Sequence, residues 1–147
     1  MNKKQVYESD IAYIAGLFDG EGSLHFKRSP EKKRSGTYDC MRISMEITMT
    51  CESVIRWVHE TLGVGTVNKK TVKGKRADGT PYLQQWRWRC TFRDAYSVCR
   101  CIWPWVHVKL DQVQKVLDHY AEIDIRHKYE KGLNVIDFEK EKSKRVR

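Results

Sequence analysis

Residues 14–22 read IAGLFDGEG, the most unusual segment of the chain. Gly16 lies in the middle of a predicted helix, where glycine costs about 1 kcal/mol relative to alanine. Ala12, Gly16 and Gly20 recur at every fourth position and leave one side of the helix without bulky side chains. Such a small-residue strip allows another helix to approach backbone to backbone. The strip either packs within the monomer or, as the repetition favours, meets its own copy across a twofold axis.

The stretch forms the end of the first predicted helix. Ser9 or Asp10 is suited to cap the N-terminus, because short polar side chains accept hydrogen bonds from the first backbone N–H groups. The helix is predicted to run to about Asp19 and to end at Gly20 and Gly22. The alternating residues that follow predict a strand directly after the helix.

The rest of the chain predicts four strands and three further helices. Alternation of polar and apolar residues indicates strands at 23–28, 41–48, 66–72 and 83–92. Apolar residues at helical spacing indicate helices at 54–62, 94–103 and 110–125. Pro30, Gly36 and several charged residues predict a loop at 29–37, and Asp78-Gly79 predicts a hairpin turn.

This order of elements predicts an α+β fold, with an antiparallel sheet and helices on one of its faces. The domain is predicted to span residues 1–127. The tail at 128–147 is expected to be partly helical or frayed.

One face of the predicted sheet, the polar face, carries hydrogen-bonding and basic side chains. In the last strand the opposite, apolar face carries Trp86, Trp88, Cys90 and Phe92. Strands with polar side chains at two-residue spacing can enter a major groove and contact base edges. A merely solvated surface is the alternative, but four such strands on a basic chain favour nucleic-acid binding. The candidate DNA-binding residues are Ser23, His25, Lys27, Arg42, Ser44, Glu46, Thr48, Thr66, Asn68, Lys70, Gln85, Arg87 and Arg89.

Composition agrees with a polyanionic partner. The chain has 147 residues, a net charge of +9 and 40% hydrophobic residues, which fits one globular domain with a basic surface. The sequence contains no membrane-length apolar run and no secretory signal. We therefore expect an intracellular protein, cytoplasmic or organellar, with no membrane partner and no small-molecule substrate.

The five cysteines are Cys40, Cys51, Cys90, Cys99 and Cys101. An odd number without a CxxC pair argues against a disulfide framework and a zinc ribbon. Metal binding by Cys99 and Cys101 is the alternative to free thiols in a reducing compartment, and free thiols are favoured.

Residues 14–22 closely resemble the LAGLIDADG motif of homing endonucleases. Two more segments are similar to that family: 62–67, LGVGTV, before the third strand, and 104–109, PWVHVK, before the last helix. The resemblance covers most of residues 8–125, strongly at the motif and loosely elsewhere. It implies an αββαββα fold with a saddle-shaped sheet. It also implies homodimers, joined through the motif helices at Ala12, Gly16 and Gly20, that cleave both strands of long, roughly palindromic DNA sites.

The resemblance also implies a metal site at the end of the motif. Glu21 would bind the catalytic Mg²⁺ (or Mn²⁺), with the carbonyl of Gly20 as a further contact. Hard oxygen ligands suit Mg²⁺, which keeps several waters and needs few carboxylates. Two copies of Glu21 near a dyad would repel each other without bound cations. A Glu in place of the more usual Asp is a mild change, because both supply carboxylate oxygens.

Other roles follow by the same resemblance. Lys109 corresponds to a lysine that stabilises charge on the phosphate or polarises the attacking water. Asp19 is a second candidate catalytic residue, although fixing the local turn is the favoured role. Met49 departs from the family, since many relatives place a polar, water-organising residue there. Thr48 or Glu46 is the candidate substitute.

Two further functions remain open for the same scaffold. One is an intron maturase, an RNA-binding splicing factor, and the other is a non-catalytic DNA-binding regulator. Glu21 and Lys109 favour the nuclease, because a splicing factor does not need a carboxylate at that place. Met49 favours the regulator.

Overall fold

The computed structural model describes residues 5–131, with side chains up to residue 124. Eight elements follow in the order predicted from the sequence. They are α1 (Glu8–Glu21), β1 (Gly22–Lys33), β2 (Gly36–Met49), α2 (Glu52–Leu62), β3 (Thr66–Lys70), β4 (Gln85–Thr91), α3 (Phe92–Ile102) and α4 (Leu110–Lys131).

The four strands form one antiparallel sheet in the order β1-β2-β4-β3. The two middle strands are therefore β2 and β4, and the edges are β1 and β3. Every helix contacts the sheet: α1 and α3 lie against β2, α4 against β1, and α2 against β4. The α+β prediction is confirmed.

The core lies between the helices and the apolar face of the sheet. Ile43, Met45 and Ile47 of β2 are buried, as their alternation predicted, together with Trp88 of β4 and Phe18 of α1. Full burial of each such side chain contributes roughly 1.5–3 kcal/mol. Because apolar residues alternate with polar ones, burying this side turns the polar side chains of the same strands outward.

Trp88 fixes the turn between α2 and β3. Its indole Nε1 donates a hydrogen bond of 2.9 Å to the carbonyl of Val64. At Gly65 the backbone has φ +89°, and a Cβ atom would lie 2.6 Å from the carbonyl oxygen of Arg89. Only glycine fits this approach without displacing β4, which accounts for the second glycine of the LGVGTV segment.

The loop predicted at 29–37 is wrong, because β1 and β2 continue through it. They form a long hairpin closed by a turn at Arg34 and Ser35, with Lys33 opposite Gly36. Pro30 pairs with Asp39 without breaking the strand. A proline is tolerated there because β1 is an edge strand, where one side needs no backbone donor.

The predicted ends of α1 are also corrected. Tyr7 is the N-cap residue, and its side chain makes no capping hydrogen bond, so neither Ser9 nor Asp10 has that role. The helix continues through Gly20 and ends at Glu21, and the N–H of Gly22 donates to the carbonyl of Phe18. A Cβ atom on Gly22 would lie 2.6 Å from that same carbonyl oxygen and against the Phe18 ring. The last glycine of the motif is therefore required by close packing.

The third and fourth strands are shorter than predicted. The third ends at Lys70 rather than residue 72, and the fourth runs from Gln85 to Thr91 rather than from 83 to 92. Phe92 begins α3 with φ +49° and is 39% exposed, so it does not lie on the apolar face. The chain passes from strand to helix without a linker, and the left-handed conformation of Phe92 accommodates the change in direction.

The last helix extends beyond its predicted end. It continues to Lys131, past residue 125 and into the segment predicted as a tail. The remaining tail residues, 132–147, lie outside the described residues. The predicted apolar stripe faces the core, with Val113, Val116, Leu117 and Tyr120 buried.

Candidate active site and nucleic-acid interface

The end of α1 meets the sheet without a linker. Glu21 is the last helical residue and is exposed, and Gly22 is the first residue of β1. The C-terminal end of a helix carries partial negative charge, and its last carbonyls, including that of Gly20, have no partners within the helix. The last turn of α1 contains no basic residue of its own. This end therefore attracts cations.

A lysine from a distant part of the chain occupies that end. The Lys109 ammonium donates a 2.9 Å hydrogen bond to the backbone carbonyl of Asp19. The two carboxylate oxygens of Asp19 accept hydrogen bonds from the backbone N–H groups of His107, at 2.8 Å, and Lys109, at 3.0 Å. Asp19 thus joins the segment before α4 to α1. The Lys109 ammonium is bound at the carbonyl of Asp19, two positions before Glu21 in the helix. Both carboxylate oxygens of Asp19 are engaged in the two backbone hydrogen bonds, which is an anchoring arrangement.

The predicted DNA-binding residues share one face of the sheet. The register aligns them across the strands in rows, because residues paired across antiparallel strands point to the same side. The row beside Glu21 holds Thr48, Arg87 and Asn68. The following row holds Ser23, Glu46, Arg89 and Thr66. Further pairs are His25 with Ser44, Lys27 with Arg42, and Lys70 with Gln85.

The polar face combines free cations with one internal ion pair. The exposed basic residues of this face are His25, Lys27, Arg42 and Arg89. Glu46 lies 3.9 Å from Arg87 between the two middle strands. The Nε of Arg87 and the hydroxyl of Thr48, neighbours in the register, are buried without hydrogen-bond partners among the described residues.

Two further basic segments lie in the turns that connect the paired strands. The tip of the β1–β2 hairpin carries Lys32, Lys33 and Arg34, and the exposed segment 71–84 carries Lys73, Lys75 and Arg76. The hairpin extends past β4, because β2 pairs with β4 only over 44–49. In the sequence, the clusters of Lys and Arg at both turns are the feature that indicates these two basic segments.

The small-residue strip on α1 is open in the described chain. A Cβ atom built on Gly16 or Gly20 meets nothing within 4 Å, so neither glycine of the strip packs against the rest of the described monomer. Beside it, Tyr13 is 57% exposed and contacts Trp57 of α2 edge to face, with ring centroids 5.5 Å apart. These rings border a surface cavity of about 380 Å³, lined by Ser9, Asp10, Tyr13, Val54 and Trp57.

The cysteines of the described chain are free thiols. Burial raises the pKa of Cys90 to about 12 and raises the pKa of Cys99 further still. Cys51, at the N-cap of α2, is exposed, and the Ser53 hydroxyl lowers its pKa.

Within residues 5–131, no three His, Cys, Asp or Glu side chains are grouped to hold a metal ion. No helix among these residues is both long and apolar enough to cross a membrane.

Comparison with known proteins gives likeness in structure only. No family model matches the chain, and no curated protein matches it. The homing endonuclease I-CvuI, solved with its target DNA and Ca, has a TM-score of 0.58 at 20% identity over 76% of this chain and 65% of its own. The archaeal intron-encoded homing endonuclease I-Vdi141I, complexed with DNA, has a TM-score of 0.55 at 18% identity over 76% and 66%. The LAGLIDADG homing endonuclease I-SmaMI, bound to cleaved DNA, has a TM-score of 0.58 at 15% identity over 88% and 41%.

The chain therefore has the LAGLIDADG homing endonuclease fold. Its aligned part spans just under two thirds of I-CvuI and less than half of I-SmaMI.

Proposed function

We propose that this chain is a site-specific DNA endonuclease that requires a divalent cation, Mg²⁺ or Mn²⁺, and acts as a homodimer. One observation carries the proposal: an exposed carboxylate, Glu21, lies at the end of α1 where the Lys109 ammonium is bound to the Asp19 carbonyl, beside the polar face. Phosphodiester hydrolysis needs both a cation site and a positive group near the phosphate. The fold and the DNA-bound homing endonucleases that share it support the same reaction.

The residues at this end fit a magnesium ion. Mg²⁺ binds through one or two carboxylates and retains several waters, so Glu21 and the Gly20 carbonyl suffice without a cluster of three ligands. The negative end of the α1 dipole adds a favourable potential. A bound divalent cation offsets charge developing on the phosphate and acidifies water.

The chain's own groups have separate tasks. Glu21 would hold the cation, and the Lys109 ammonium would stabilise negative charge on the scissile phosphate. Asp19 is the positioning residue for Lys109, through the two backbone hydrogen bonds that its carboxylate accepts. The polar face orients the duplex so that the phosphate lies against the end of α1.

The homodimer is inferred from the open strip on α1. Gly16 and Gly20 allow close approach of a second α1, since neither position is filled within the described monomer. An isologous contact through α1 places two copies of Glu21 about one dyad, one for each DNA strand. The exposed ring of Tyr13 would border this contact.

The decisive experiment is cleavage of a genomic or randomised DNA library by the purified protein with Mg²⁺. Wild type should give discrete double-strand breaks at near-palindromic sites, and Glu21→Gln should give none while still binding the same DNA. Glu8→Gln, at the other end of α1, is the matched control and should cleave normally. Specific binding without cleavage by wild type would favour the regulator instead, and preferential binding of structured RNA would favour the maturase.

A further inference from the structure

The ion pair between Glu46 and Arg87 is an unusual feature for a surface that meets DNA. Glu46 carries a negative charge in the middle of the polar face, where a phosphate backbone would be repelled. It comes from β2 and Arg87 comes from β4, the two middle strands of the sheet. A groove-bound ribbon presents its centre to base edges, whereas its borders lie closer to the phosphates.

The geometry of the pair is loose and incompletely satisfied. The closest nitrogen-to-oxygen distance is 3.9 Å, which is longer than a direct hydrogen bond. The Nε of Arg87 is buried without a partner, although the Arg87 side chain as a whole is 30% exposed. A buried, unsatisfied donor is unfavourable, so Arg87 gains by moving to a better acceptor.

The contact is also specific in its direction across the sheet. Arg89 is the residue directly opposite Glu46 in the register, yet the ion pair forms diagonally with Arg87. Long side chains reach such diagonal neighbours. Arg89 is consequently left exposed for DNA, while Arg87 is the arginine that Glu46 restrains.

We propose that Glu46 is a specificity-determining residue, which keeps Arg87 away from the phosphates of non-cognate DNA. At a cognate site, a guanine edge takes the place of Glu46 as the partner of Arg87. Arginine binds the O6 and N7 of guanine with two hydrogen bonds, and this fork replaces the loose contact with Glu46. Arginine can also form this fork with a phosphate, but phosphates lie at the borders of the groove, away from the centre of the polar face where Glu46 holds Arg87. The inference rests on the proposed function, because it assumes that the polar face binds duplex DNA.

The test measures binding to a random-sequence duplex without divalent metal, so cleavage plays no part. Glu46→Gln keeps the shape of the side chain and removes its charge. We expect the variant to bind the random duplex roughly three- to tenfold more tightly at low salt, with a salt slope steeper by about 0.9, the value for one added phosphate contact. In an Arg87→Gln background the same change should give no gain, because the released arginine is absent.

Glu31→Gln is the matched control for loss of a negative charge. Glu31 lies opposite Tyr38, on the part of the hairpin beyond β4, and is remote from Arg87 in the register. Any gain from this change should persist in the Arg87→Gln background. If the gain from Glu46→Gln also persists there, or does not occur, the role given to Glu46 is wrong while DNA binding stands. If wild type shows no salt-dependent binding to any duplex, the proposed function and this inference both fail.

Discussion

At the scale of single residues, the two acids of the motif have different surroundings and are therefore suited to different roles. Glu21 is exposed at the end of α1, whereas both carboxylate oxygens of Asp19 accept backbone hydrogen bonds. A carboxylate that binds a cation needs oxygens without other partners, whereas a carboxylate that positions a neighbouring segment has its oxygens in hydrogen bonds. The environment thus separates the two roles although the residues lie two positions apart.

The anchoring role of Asp19 is tested by Asp19→Asn. The amide keeps the shape but offers only one acceptor, so one of the two backbone donors loses its partner, which should lower the free energy of unfolding by about 1–3 kcal/mol. We expect the cleavage rate to fall at least tenfold with little change in DNA affinity. The loss should be non-additive with Lys109→Met, because both substitutions remove the same positioned ammonium. Additive losses in the double variant would assign Asp19 a separate function.

The buried thiols predict a dependence of stability on alkaline pH. Cys90 and Cys99 remain protonated in the folded state, since burial raises the pKa of each thiol, whereas in the unfolded chain they ionise near their ordinary value. The unfolded state therefore loses protons first, and stability falls as pH rises from about 9 towards about 12. The decline is roughly 1 kcal/mol per pH unit for each thiol. Urea unfolding between pH 8 and 10.5 should show it, and Cys90→Ala with Cys99→Ala should flatten it.

At the scale of elements, α1 has two functional features in fourteen residues. One side buries Ile14, Ala15 and Phe18 in the core, and the other presents the open strip with Gly16 and Gly20. A mid-helix glycine lowers the stability of the monomer, so its presence calls for a benefit elsewhere. Close approach of a second helix in the proposed dimer would supply that benefit.

Gly16→Ala separates folding from assembly. In the monomer the new methyl group meets no atom within 4 Å, and alanine favours the helix by about 1 kcal/mol, so the melting temperature of the monomer should rise. In the dimer the methyl group occupies the space needed by the partner helix, so sedimentation equilibrium should show weaker self-association. Gly16→Leu should enlarge the second effect. Unchanged association in both variants would exclude α1 as the contact.

How far the sequence predicts the elements depends on whether the signal is local. Alternation along β2 gave its buried face correctly, because strand periodicity is a property of neighbouring residues. The hairpin at 29–37 was missed because tolerance of Pro30 depends on β1 being an edge strand, which only the assembled sheet determines. The direct passage from β4 into α3 at Phe92 likewise has no local signal.

The candidate site was predictable only in part for the same reason. The motif itself indicated Glu21, and resemblance indicated Lys109. The hydrogen bonds that join Asp19 to His107 and Lys109 connect positions 88 and 90 residues apart. No local sequence pattern predicts hydrogen bonds over such a separation. The diagonal pairing of Glu46 with Arg87 also depends on strand register rather than on spacing along the chain.

At the scale of the whole molecule, the net charge of +9 dominates the expected interaction with DNA. Basic residues follow the polar face, the hairpin tip and the 71–84 segment. If 6–10 phosphates are contacted, affinity should fall by about 10³–10⁵ between 50 and 200 mM salt. Fluorescence anisotropy with a labelled duplex measures this directly. A response that is flat in salt would contradict nucleic-acid binding by this surface.

The direct junction between α1 and β1 has a consequence for the products of the proposed reaction. Glu21 ends the helix of the proposed dimer contact, and no segment separates it from the sheet proposed to bind DNA. In the proposed dimer, the distance between the two cuts would thus be set by how closely the two helix backbones approach at Gly16 and Gly20. The length of the single-stranded overhang would therefore be the same at every target, whatever bases lie between the cuts.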